Sequence, residues 1–123
     1  MCSVFIVEDD ADLVETYTDL LQANQYSVTS TAKAVDAITL IMQSKPKIIL
    51  LDLNLAGYSG TLVINVVRRH PGLKDTKIVV ITGHPELLRR YDAMRVDFIL
   101  RKPISNTELL EVIERCVTPP LQS

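Results

Sequence analysis

Ile48-Ile49-Leu50-Leu51-Asp52-Leu53 is an almost unbroken apolar run interrupted by one carboxylate. It has no helical rhythm, and a continuous run of this length reads as a strand covered on both faces. Such a strand needs a sheet with helices on each side, and the flanking sequence supplies them. Upstream, Ser3–Val7 is a second short apolar run, followed by Leu13, Val14, Tyr17, Leu20 and Leu21 at the spacing of one helical face. Tyr26–Thr31 is rich in β-branched residues and precedes the stripe Ala34, Ala37, Ile38, Ile41 and Met42. Downstream, Leu62, Val63, Val66 and Val67 restore the helical period before the strand-like Lys77–Thr82. Leu87, Leu88, Tyr91 and Met94 predict a fourth helix, and Phe98–Leu100 leads to a fifth carrying Leu109, Val112, Ile113 and Cys116. Strict alternation of strand and helix implies right-handed crossovers and an α/β fold with a doubly wound parallel sheet. For five strands the common order is 2-1-3-4-5, in a single domain.

The 123 residues suffice for one core and not for two. A domain is expected over 1–118, with 119–123 as a tail or the start of a linker. Asp12 with Glu15 and Ser105 with Glu108 have capping-box spacing, and Pro85 suits a first helical turn. Gly57, Gly60, Gly72 and Gly83 all fall between elements. With 13 basic and 15 acidic residues the net charge is −2, which provides no overall positive field for nucleic acid or an anionic membrane. Cys2 and Cys116 form neither a disulfide framework nor a metal pair, no apolar run spans a bilayer, and no leader pattern follows Met1. A cytoplasmic location is expected.

In a sheet of this order, ligands bind beyond the carboxyl ends of strands 1 and 3. Strand 1 runs into Glu8, Asp9 and Asp10, and strand 3 carries Asp52. Two unit charges about 4 Å apart repel by roughly 4 kcal/mol at an effective dielectric of about 20, so this group must bind protons or a cation. An all-oxygen site with room for water and a phosphoryl group suits Mg²⁺. Asp10 and Asp12 are equally well explained as helix caps, whereas Asp52, within an apolar strand, requires a partner. Thr82 and Lys102 end strands 4 and 5 and add a hydroxyl and an ammonium group to the same edge. Each alone reads as an ordinary strand former or a solvated lysine. Together with Asp9 and Asp52 they supply an acceptor, charge neutralisation and positioning for phosphoryl transfer to a carboxylate.

The four motifs that carry this chemistry occur in order: Val7-Glu8-Asp9-Asp10, Asp52 through Gly60, Ile81-Thr82-Gly83, and Lys102-Pro103. Over essentially its whole length the chain resembles the receiver domain of bacterial two-component response regulators, the CheY-like family with a flavodoxin-like (βα)5 fold. The resemblance implies that Asp52 is the phosphoacceptor, and that Glu8, Asp9, Asp52 and the backbone carbonyl of Asn54 hold Mg²⁺. Thr82 would bond a phosphoryl oxygen and Lys102 would pair with the phosphate. It further implies a small residue at Gly83, a lifetime-tuning rim position at His84, and a cis peptide before Pro103. The implied donor is a histidine kinase or phosphotransfer protein, and the output passes to a downstream protein or an effector domain, with dimerisation on phosphorylation as one route. Such a protein assists its own phosphorylation and dephosphorylation without being a turnover enzyme.

Two positions depart from the family pattern. Ala56 stands where proline is usual, and Ile99 stands where an aromatic residue usually moves with the strand-4 hydroxyl. Phe98 is adjacent, but neighbours in a strand face opposite sides unless a bulge intervenes. These departures motivate an alternative, a pseudo-receiver that binds partners without phosphorylation. A second alternative is an aspartyl-phosphate phosphohydrolase, suggested by Asp10-Ala11-Asp12, although no further acidic pair follows Lys102 closely. His70 reads as a surface residue. Arg89, Arg90, Arg95 and Arg101 read as a solvated face or as a basic patch for a partner.

Overall fold

The computed structural model describes residues 2–53 and 60–118. Five parallel strands, β1 (Ser3–Val7), β2 (Ser27–Thr31), β3 (Ile48–Asp52), β4 (Lys77–Thr82) and β5 (Phe98–Arg101), lie in the order β2-β1-β3-β4-β5. They alternate with α1 (Ala11–Ala23), α2 (Ala34–Ser44), α3 (Thr61–Arg69), α4 (Arg90–Ala93) and α5 (Asn106–Val117). This is the α/β class and strand order that the sequence predicts. The opening run explains the layering, because all five residues of β3 are buried and its side chains alternate between two cores. Ile49 and Leu51 pack with Ala37 and Ile41 of α2 and Val63 and Val67 of α3. Ile48 and Leu50 pack with Tyr17 and Leu21 of α1 and Leu109 and Ile113 of α5.

The helix ends refine the sequence reading. Ser105 caps α5 as its spacing predicts, with its hydroxyl accepting the Glu108 N–H at 3.1 Å. The cap of α1 is Asp10, whose carboxylate accepts the N–H groups of Asp12 and Leu13, so Asp12 belongs to the first turn instead. The fourth helix is shorter than predicted. Pro85–Leu87 makes one 3₁₀ turn, Leu88 and Arg89 are extended, and α4 has only four residues. Its apolar stripe is too short to sustain a longer helix against the cost of nucleation. Met94, assigned to that stripe, is 78% exposed.

At the amino ends of β4 and β5, a polar bolt joins α3 to the loop before β5. The Arg68 guanidinium donates to the carbonyl of Arg95 at 2.6 Å, the carbonyl of Thr76 at 2.8 Å and the Asp97 carboxylate at 2.9 Å. Asp97 also accepts the Ile78 N–H at 2.8 Å, while Lys77 approaches it only to 3.8 Å. A charge-assisted hydrogen bond contributes more than an exposed ion pair. Asp97→Ala should therefore cost about 2 kcal/mol in urea unfolding and Lys77→Ala less than about 0.5 kcal/mol. Equal losses would show that the bolt contributes nothing beyond surface charge.

Candidate functional site

Strand parity assembles the site. Glu8 continues the row Val4, Ile6; Asp52 continues Ile48, Leu50; and Lys102 continues Phe98, Leu100. All three rows face α1 and α5. The three side chains therefore meet where those rows leave the sheet. Lys102 Nζ lies 3.1 Å from Glu8 Oε2 and 3.5 Å from Asp52 Oδ2, with Glu8 only 3% and Asp52 only 4% exposed. Asp9, at the solvent side, completes a group of three carboxylates whose oxygens lie within 4.8 Å of one another.

The electrostatics follow from that crowding. Burial, reinforced by Asp52, pushes the Glu8 carboxyl up to about 7 against the pull of Lys102. Burial alone would lower the Lys102 ammonium, but its hydrogen bond to Glu8 and the charges of Asp52 and Glu8 outweigh that and raise it. The cluster is short of positive charge, and its donors are all oxygen. This chemistry fits a hard divalent cation such as Mg²⁺.

Thr82 closes β4 on the opposite parity, 1% exposed, and its hydroxyl accepts the His84 N–H at 3.1 Å. The His84 ring is exposed, with Nδ1 3.4 Å from Glu86 Oε1. Lys102 is tied to the same strand by its own N–H, which donates to the Thr82 carbonyl at 2.8 Å, and the Lys102–Pro103 peptide is cis. Ile99 is 39% exposed and pairs in register with Val80, while Phe98 faces the α5 core. The pairing of β4 with β5 is continuous from Phe98 to Arg101, with no bulge to exchange their faces. Asn54 and Ala56 lie outside the described residues, as do 119–123. His70 is half-buried and structural: its ring accepts the Gly72 N–H at 3.1 Å. Arg95, one of the four candidate patch arginines, donates to Asn65 Oδ1 on α3.

Two contributors escaped the sequence reading. A Cβ at Gly60 would stand 3.0 Å from the Asp52 carbonyl oxygen and 3.0 Å from Leu53 Cα, so this glycine lets α3 start against the backbone of the Asp52 segment. Tyr17, read only as part of an apolar stripe, lies close enough for Lys102, Glu8 and Asp52 to act on its hydroxyl, although burial chiefly raises its pKa. The sequence marks Gly60 as an inter-element glycine and carries no signal for the placement of Tyr17.

The family model for the response regulator receiver domain matches residues 4–114. The chain belongs to that family. It is thus a receiver domain of two-component response regulators, a family that binds Mg²⁺ in an acidic pocket and communicates with histidine kinases and downstream effectors. The polar-differentiation response regulator DivK of Brucella anthropi is 27% identical over 117 residues, covering 91% of this chain and 93% of DivK. The transcriptional regulatory protein KdpE of Staphylococcus aureus is 32% identical over 118 residues, covering 91% of this chain. The chain spans 49% of KdpE and 27% of the Salmonella typhimurium regulator PgtA, about half and about a quarter of the length of those relatives. Among solved structures, the CheY-like receiver domain from Methylobacillus flagellatus superposes with a TM-score of 0.85 at 26% identity, covering 94% of this receiver and 98% of that one. No helix among the described residues is long and apolar enough to cross a membrane.

Because Glu8 holds its proton more tightly in the folded state, stability should fall as pH rises from the ordinary carboxylate range through about 7. In chelator, Tm at pH 8 should lie about 5 °C or more below Tm at pH 5, and Glu8→Gln should flatten that dependence. Calorimetry showing the same slope in both proteins would locate the titration elsewhere. Gly60→Ala should cost about 1–3 kcal/mol through overpacking. Gly83→Ala, whose Cβ would meet nothing within 4 Å, should leave chemical denaturation almost unchanged.

Proposed function

We propose that Asp52 is the phosphoacceptor, and that the chain switches a partner-binding state on phosphorylation by a histidine kinase or phosphotransfer protein. The observation that carries this reading is a carboxylate 4% exposed at the end of a wholly buried strand, with Lys102 Nζ at 3.5 Å. Nothing in an ordinary core requires such a group there. An Asp52 carboxylate oxygen attacks phosphorus, an O–P bond forms as the N–P bond of the donor imidazole breaks, and that imidazole takes up a proton. Glu8, Asp9, Asp52 and the backbone carbonyl of Asn54 are the groups that would hold Mg²⁺. When bound, Mg²⁺ neutralises charge developing on the phosphoryl oxygens.

The chain's own groups supply the rest. Lys102 is held above its ordinary pKa by Glu8 and Asp52, so it stays cationic and pairs with the incoming phosphoryl group. The Thr82 hydroxyl accepts the His84 N–H and keeps its own hydrogen to donate to a phosphoryl oxygen. His84 and Gly83 set access at the rim and hence the lifetime of the acyl phosphate. The receiver occupies 1–118, with 119–123 as a tail or the start of a linker, and its output is contact with a downstream protein or effector domain. The protein assists its own phosphorylation and dephosphorylation and is not a turnover enzyme.

Acetyl phosphate with Mg²⁺ should add one phosphoryl group, read by intact-mass spectrometry, and both Asp52→Ala and chelation should abolish it. Labelling of the Asp52→Ala protein to the wild-type extent would overturn the assignment. Lys102→Ala should slow labelling at least tenfold, since removal of one preorganised electrostatic contact typically costs about 10²-fold or more.

A further inference from the structure

The amino-terminal edge of the sheet, remote from Asp52, carries three adjoining depressions. The first, about 230 Å³, lies beside Lys45 and Lys47; the second, about 520 Å³, beside Arg68, Lys74 and Arg95; the third, about 480 Å³, beside Arg115. Asp75 and Thr76 are shared by the first two, and Lys77 and Asp97 by the second and third, so together they form one groove. Seven cationic side chains line it against two carboxylates, Asp75 and Asp97. Asp97 is already engaged by Arg68 and the Ile78 N–H. Lys45, Lys47, Lys74 and Arg115 are exposed and make no ion pair among the described residues.

Seven of the 13 Lys and Arg of the chain line the groove. Residues 1–32 carry six carboxylates and no Lys or Arg, so every basic residue lies at or after Lys33. The groove floor is also preorganised: the Arg68 bolt fixes the carbonyls of Thr76 and Arg95 and the Asp97 carboxylate in one arrangement. Large apolar side chains stand among the cations. Met94, 78% exposed, lines the second depression and Val117, 42% exposed, the third.

We propose that this groove binds an extended acidic peptide segment of a protein partner whose carboxylates alternate with apolar side chains. The carboxylates would meet Lys45, Lys47, Lys74 and Arg115, and the apolar side chains would cover Met94 and Val117. Methionine adapts to such a ligand because its unbranched chain repacks readily. A nucleic acid fits the groove less well. A phosphate backbone has no use for Met94 and Val117. The axes of β3, β4 and β5 span only about 10 Å at the usual strand spacing of about 4.8 Å, enough for a short peptide and not for a long phosphate track. The site lies at the opposite end of the strands from Asp52 and requires no phosphoryl chemistry, so its failure and that of the phosphoacceptor reading are separable.

The test uses a fluorescein-labelled peptide of alternating Glu and Leu, its Lys-for-Glu counterpart and a single-stranded oligonucleotide, with anisotropy and amide chemical-shift mapping of the whole chain. The Glu–Leu peptide should saturate, shifting amides of Lys45, Lys47, 74–77, 94–97 and 115–118. Lys45→Glu/Lys74→Glu/Arg115→Glu should weaken it at least tenfold while leaving acetyl phosphate labelling of Asp52 unchanged. The Lys-for-Glu peptide should not saturate. Absence of saturation by the Glu–Leu peptide, shifts outside this edge, or an unchanged affinity in the triple variant would overturn the proposal. Tighter binding of the oligonucleotide would replace it with a nucleic-acid surface. Should the triple variant fail to fold, the single variant Lys74→Glu, at an exposed position, reads the same loss on a smaller scale.

Discussion

A single ammonium group, Nζ of Lys102, stands between two carboxylates that the sheet has withdrawn from water. Everything at the carboxyl edge depends on that arrangement. Glu8 and Asp52 could not both remain charged at their positions without a nearby cation, because Coulomb repulsion at short range and the loss of hydration act in the same direction. Lys102 reduces the problem without removing it, and Glu8 stays displaced upward to about 7, chiefly by burial and further by Asp52. The residual deficit of positive charge is what makes the site receptive to a divalent cation. The same ammonium links strands that are not neighbours, since β5 is separated from β1 by β3 and β4.

The amino edge solves a different problem with similar groups. Arg68 spends its donors on two carbonyls and a carboxylate, and the loop before β5 is held to α3 as a result. Charge at one edge is thus left partly unsatisfied and chemically available, while at the other it is consumed in fastening the fold, with lysines remaining outside it. The short α4 fits this picture. The segment leading into the loop is anchored at its far end by Arg68 and Arg95, with little helix of its own between Leu88 and Met94.

Much of this was legible in the sequence because strand periodicity is strict. The unbroken run at Ile48–Leu51 reads as a strand covered on both faces, and Glu8, Asp52 and Lys102 follow in phase from apolar rows. Ser105 and Glu108 announced their own cap. The reading faltered where the signal was degenerate. Asp10 and Asp12 are both acceptable caps by type, and only the hydrogen bonds to the N–H groups of Asp12 and Leu13 decide between them. Leu87, Leu88, Tyr91 and Met94 have helical spacing, but spacing does not reveal that two extended residues, Leu88 and Arg89, divide the segment. The role of Gly60 depends on a backbone approach from a strand end several residues earlier, and the amino-edge groove is drawn from residues dispersed between 45 and 118. No local pattern contains either.

The parity that brings Glu8, Asp52 and Lys102 to one face also constrains how this chain can change over time. Each residue is placed by counting in twos along its own strand. Gain or loss of one residue within β1 or β3 would turn the corresponding charge toward α2 and α3, into a layer with no provision for it, and within β5 it would turn Lys102 to the exposed face of Ile99, away from both carboxylates. Substitutions along those strands need only preserve volume and apolarity. Length variation is therefore confined to the connections, and the distance from each strand's first residue to its charged end is the quantity that descent must keep constant.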